Sequence, residues 1–198
     1  MAAPGEAVVC GWYGKLPAVG DFATRRLTPA MVARCDAWLS SGLAASQREL
    51  GDGWLDLYLT APIWRFAWGP GLAGDEAWLG VLMPSVDRVG RYFPLLLAAP
   101  CPVEWLAEDA LGDTAAEWLE RLADTAQDCL RPGASLGSLE AALAADPRPV
   151  IDAATPQPLT HRADLTRHSL WWTHRDNRRR SPGLPDGSAF TALLHGDD

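Results

Sequence analysis

Residues 64–99 read WRFAWGPGLAGDEAWLGVLMPSVDRVGRYFPLLLAA, and their pattern decides the fold. Trp64, Phe66 and Trp68 alternate with Arg65, the period-two signature of a half-buried strand. The turn-rich GPGLAGDE leads into a second apolar run at residues 77–83, and PSVDRVGR leads into a third at residues 94–99. Connections this short cannot make parallel crossovers, so the three runs predict an antiparallel meander.

Outward from the meander the signals turn helical. Thr28 supplies a capping hydroxyl and Pro29 a residue whose missing N–H costs nothing in a first turn. Met31, Cys35, Trp38, Leu39 and Leu43 then recur at helical spacing, and Leu50-Gly51 is an exit, which predicts a helix over residues 29–50. Upstream, the apolar run at residues 7–13, closed by Gly14, predicts a first strand; residues 54–60 fit either element type.

Downstream, Leu111, Ala115, Trp118, Leu119, Leu122, Ala126 and Cys129 mark one face of a helical region beginning near Pro102. Arg131-Pro132-Gly133 stops it, and Ser135 caps a further helix carrying Leu136, Leu139 and Leu143. Four prolines make residues 147–158 a connector. A last strand at residues 168–173, a polar loop at 175–185 and a short apolar element at 190–194 complete the reading. Helices on both sides of a meander predict an α/β fold with a mostly antiparallel central sheet sandwiched between helices, in a single domain spanning residues 1–198.

Composition narrows the function classes. Of 198 residues 48% are hydrophobic and 21% charged, which is ordinary globular usage. The net charge of -8 opposes nucleic-acid or anionic-lipid binding, since both need a cationic surface. Cys10, Cys35, Cys101 and Cys129 are widely spaced in apolar surroundings and form no C-x-x-C pair, so they read as reduced core thiols in a reducing compartment. Neither a signal-peptide pattern nor a run of membrane-spanning length occurs, and a cytoplasmic protein without membrane insertion is expected.

The chemistry-bearing motifs are few. Gly11-Trp12-Tyr13-Gly14-Lys15-Leu16 follows a strand as a phosphate loop would, yet too few residues separate its glycines and Leu16 stands where a magnesium-binding hydroxyl is needed. His161, His168, His174 and His195 lack metal-ligand spacing, no G-x-S-x-G occurs, and no cofactor or metal is expected. Arg178-Arg179-Arg180 is short enough to be a solvated loop. In Pro84-Ser85-Val86-Asp87-Arg88-Val89-Gly90-Arg91, Asp87 and Gly90 carry turn chemistry, while Arg88 and Arg91 could present guanidinium forks to a partner. Lys15, Asp21, Asp87, Arg88 and Arg91 are therefore candidate partner-binding or loop-fixing residues, with Lys15 expected to pair with Asp21 and Asp87 with Arg88 or Arg91. Neighbouring side chains of a strand alternate, so one of Trp171 and Trp172 is a candidate interface residue unless the strand is covered on both faces.

Taken together, GWYGKLPAVGDF (11–22), CDAWL (35–39), YLTAPIWRFAWGPG (58–71), WLGVLMPSVDRVGRYFPL (78–95), SLWWT (169–173) and GLPDGSAFTALL (183–194) resemble, in order, the blocks of the TagF family associated with type VI secretion. The resemblance implies a non-catalytic, post-translational regulator, a repressor that restrains the secretion apparatus through protein contacts inside the cell. It also implies partners among type VI secretion components, with a forkhead-associated-domain scaffold as a candidate. The competing expectation is a hydrolase-like enzyme using Lys15, Asp21, Asp87, Arg88 or Arg91. Convergence of these residues in a deep pocket would favour the enzyme, and mutual pairing the regulator.

Overall fold

The computed structural model describes residues 7–103, 113–150, 167–173 and 177–196. The meander forms as its periodicity predicts: β3 (Trp64–Trp68), β4 (Ala77–Met83) and β5 (Leu95–Cys101) are successive neighbours. Their register runs from Trp64↔Leu82 to Trp68↔Trp78, and from Ala77↔Cys101 to Met83↔Leu95. On the far side of β5 lie β1 (Gly11–Gly14) and then the short edge strand β2 (Ala23–Arg25). On the far side of β3 lie β6 (His168–Trp172) and the second edge strand, β7 (Arg179–Pro182). Among the described residues this makes a seven-stranded sheet ordered β2-β1-β5-β4-β3-β6-β7, with every neighbouring pair antiparallel.

Helix α1 (Pro29–Leu50) starts and stops where its caps dictate: the Thr28 hydroxyl accepts the Met31 N–H, and Gly51 takes φ 54 at the exit. Residues 54–60, ambiguous in sequence, are helix α2 (Trp54–Thr60), which puts Trp54 and Tyr58 on one buried face. Helix α3 (Asp113–Asp128) presents the expected stripe of Trp118, Leu119, Leu122 and Ala126. The expected start near Pro102 adjoins residues 104–112, outside the described residues. Helix α4 (Leu136–Ala145) opens on a Ser135/Ser138 capping box, and α5 (Gly187–His195) carries the final apolar element. The connector is described as far as residue 150, where Arg148 donates its amide to the Val8 carbonyl at 2.8 Å; residues 151–166 lie outside the described residues.

Two hydrophobic clusters divide the sheet residues by alternation. Leu79, Val81 and Leu97 join Trp118, Leu122 and Leu143 in one. Phe66, Trp68, Leu82 and Leu96 join Trp38, Tyr58 and Phe190 in the other. Of the two outcomes left open for the tryptophan pair, the structure has the strand covered on both faces: Trp171 falls in one cluster and Trp172 in the other, and both rings are buried.

The expected polar loop at 175–185 contains β7 instead. Arginines disguise this strand, because their guanidinium groups lie over rings: Arg178, just before β7, is 5.5 Å from the Trp172 centroid and Arg179 5.7 Å from that of Trp64. Charge and Pro182 suit an edge that must not pair further. Several indoles act as tethers, spending their N–H on backbone carbonyls distant in the chain. Trp38 donates to Pro185 at 2.6 Å, Trp64 to Leu193 at 2.8 Å and Trp118 to Asp146 at 3.2 Å.

The crossing of α1 and α5 depends on Gly42, where an added Cβ would lie 2.3 Å from the Phe190 ring. Gly42→Ala is expected to destabilise the protein by about 1–3 kcal/mol through overpacking. Adding Phe190→Leu should recover part of the loss, as measured by urea denaturation.

Candidate functional site

Antiparallel pairing decides what meets at one end of the sheet. The end of β1 lies beside the start of β5, through Gly14↔Leu95, and the end of β4 lies beside it too, through Met83↔Leu95. The segment after β1, beginning at Lys15, and the loop joining β4 to β5 therefore emerge together. Gly14 makes the approach possible: its φ is +140, and a Cβ there would fall 2.1 Å from the Pro94 carbonyl oxygen.

The β4–β5 loop closes as a tight hairpin. Asp87 donates its amide to the Arg91 carbonyl at 3.1 Å, Gly90 donates to the Asp87 carbonyl at 3.0 Å, and Gly90 takes φ 85, the left-handed conformation such a loop requires. The Asp87 side chain then turns under the loop. Its Oδ1 accepts the Val89 and Arg91 amides at 3.0 and 2.9 Å; its Oδ2 accepts Lys15 Nζ at 3.0 Å and Arg91 Nε at 2.7 Å.

Both members of the Lys15–Asp87 pair are buried. Burial alone would push the Asp87 carboxyl up, but the Arg91 amide, the Lys15 ammonium, the Arg91 guanidinium and the Val89 amide outweigh it. They hold the group well below the ordinary carboxylate range. Arg91 reaches on to the Gly20 carbonyl at 2.6 Å, and Arg88 donates its amide to Val19 at 2.9 Å, so the second loop is stitched to the first.

The sequence paired these charges differently. Lys15 does not reach Asp21; it pairs with Asp87 and packs 4.8 Å from the Phe22 ring centroid. Asp21 instead accepts the Phe22 amide at 2.8 Å and stands 3.6 Å from Arg91 Nη2. A buried ammonium gains more from a buried carboxylate than from an exposed one screened by water. Asp87 pairs with Arg91, and Arg88 does not join: among the described residues its exposed guanidinium has no ion-pair partner and rests against Gly20.

Two residues that sequence reasoning passed over complete the support. The Tyr58 hydroxyl accepts the Ser85 amide at 3.0 Å and donates to the Ser85 carbonyl at 2.9 Å, while Ser85 Oγ donates to the Lys15 carbonyl at 2.7 Å. Burial pushes the Tyr58 phenol well up, so it stays a neutral donor. The available signal was the four-residue spacing of Trp54 and Tyr58, which in a helix aims both rings at one place. Around this support Phe22, Val89 and Tyr92 are exposed, Val89 by 66%.

His168 begins β6 and His195 ends α5, while His161 and His174 lie outside the described residues. Among the described residues no cluster of three or more His, Cys, Asp or Glu could hold a metal, and no helix is long and apolar enough to cross a membrane.

Fold and site together define an α/β domain with an antiparallel sheet, whose charged loops are fixed by pairing with one another at one sheet end. The chain belongs to the TagF family: residues 11–145 match the model described as the TagF N-terminal domain, type VI secretion system-associated. It is also similar to the crystal structure of PA0076 from Pseudomonas aeruginosa PAO1. That similarity is 38% in sequence, covers 96% of this chain and 95% of that one, and has a TM-score of 0.81. No curated protein shows a significant match.

Because donors lower the folded-state pKa of Asp87 below its unfolded value, its contribution is present above the ordinary aspartate range and lost as the pH falls through and below it. Asp87→Asn should therefore be less stable than wild type at neutral pH, and the gap should narrow at pH values below about 4. Lys15→Ala, which takes away the donor that Asp87 receives from the segment after β1, should also be less stable than wild type at neutral pH. Urea denaturation across pH measures both.

Proposed function

We propose that this chain acts as a single-domain, non-catalytic, post-translational repressor of the type VI secretion system, binding an apparatus component in the cytoplasm. The observation that carries the reading is the saturation of Asp87. Its oxygens already accept four hydrogen bonds, and its donors keep it ionised. A general base needs a free lone pair and a proton affinity matched to neutral pH, and Asp87 has neither. The Lys15 ammonium is committed to the same contact. The hydrolase reading is the weaker for it.

The same construction serves recognition well. It holds a guanidinium with no ion-pair partner among the described residues, and several exposed apolar side chains, on loops that need no ordering when a partner arrives. Family membership supplies the setting, and a forkhead-associated-domain scaffold is the first candidate partner. The proposed scaffold is three-layered, with α1, α2 and α5 over one sheet face and α3 and α4 over the other; the two separate core clusters support it.

Overproduction of the protein is expected to suppress type VI secretion while apparatus subunits keep their normal amounts, read by immunoblotting cells and medium. Unchanged secretion at high protein levels would contradict the repressor reading, and falling subunit levels would contradict control by binding.

A further inference from the structure

Beside the loop support lies a small apolar recess of about 30 Å³. Tyr58, Ala61, Leu82, Pro84, Pro94 and Leu194 line it. A small-molecule pocket is roughly ten times larger, so this one suits the tip of a single aliphatic side chain. Pro84 and Pro94 are also the two feet of the β4–β5 loop, whose tip carries Arg88. From Pro84 to Arg88 the chain advances four residues, at most about 13 Å when extended.

The charges at this end select the partner's sign. The chain as a whole carries -8 and repels acidic segments in general. Here Asp87 is neutralised by Lys15 and Arg91, and Arg91 also faces Asp21. Arg88 is left, among the described residues, as a cation without an ion-pair partner. Leu59, exposed by 57%, and Tyr92, exposed by 37%, offer further apolar surface on α2 and on the loop.

We infer that this end of the sheet docks an extended acidic segment of a partner protein, with one aliphatic side chain in the recess and a carboxylate about four residues away on Arg88. The inference rests on the binding-regulator reading and specifies what the regulator holds. Apolar insertion supplies the anchor, and the guanidinium fork sets direction and register.

The probe is a fluorescently labelled synthetic peptide in a serine-glycine background, carrying a leucine and, about four residues on, two aspartates. Binding is followed by anisotropy. Wild type is expected to bind it saturably. Ala61→Leu, which plugs the recess, and Arg88→Glu should each keep the wild-type melting temperature and weaken binding at least about tenfold. A probe with lysines replacing the aspartates should bind Arg88→Glu better than wild type, a reversal that a merely structural role for Arg88 would not produce.

No binding by wild type, equal binding by either variant, or no reversal would overturn the inference. Repression assays run alongside separate the two claims. Repression by wild type without probe binding removes the docking model and leaves the regulator; probe binding without repression removes the regulator and leaves the docking site.

Discussion

A carboxylate sealed from water at the end of a sheet must have its charge and lone pairs answered from within the protein, and Asp87 has them answered by four donors. Two donors are amides of its own loop, one is the side chain of Arg91, and one is Lys15 from the segment after β1. Neither loop can move without stripping a donor from the buried charge. Much of the surrounding design serves this contact: Gly14 lets β1 approach the start of β5, and Tyr58 and Ser85 hold the base of the β4–β5 loop against α2.

Elements specified by neighbours in the chain were legible in the sequence. The Thr28-Pro29 start of α1, the Ser135 cap of α4 and the alternation of Trp64, Phe66 and Trp68 each depend on residues a few positions apart. Asp87 and Gly90 were legible as turn residues for the same reason. The choice of charge partners was not, because Lys15 and Asp87 stand 72 residues apart and their pairing is decided by burial. Glu140 makes the same point. It looks like a solvated residue of α4, yet Trp12, Arg25 and Arg26 all donate to it and pull its carboxyl down to about 2, with Arg26 the largest cause. Strand β7 escaped notice because the aromatic faces that Arg179 and the preceding Arg178 cover belong to other strands.

The candidate residues thus divide by what their charges are spent on. Lys15 and Asp87 are consumed by each other, which preserves loop geometry and withdraws them from proton transfer. Arg91 bridges the two loops while remaining half exposed, with a side-chain exposure of 52%. Arg88 joins the loops through its backbone amide, and among the described residues its guanidinium has no ion-pair partner. Under the proposed binding role such a surface would act by being already shaped, since the entropy of ordering the loops has been lost during folding.

Native-state hydrogen exchange tests this account most directly, at the amides of Val89 and Arg91. Both belong to a solvent-facing loop, where amides ordinarily exchange through small local openings. If Asp87 holds the loops as one unit, these two amides will exchange nearly as slowly as those of β4 in the wild-type protein. In Asp87→Asn they will become fast while β4 remains protected. Fast exchange at Val89 and Arg91 in the wild type would contradict the account, because the loops would then be open without any loss of the buried carboxylate.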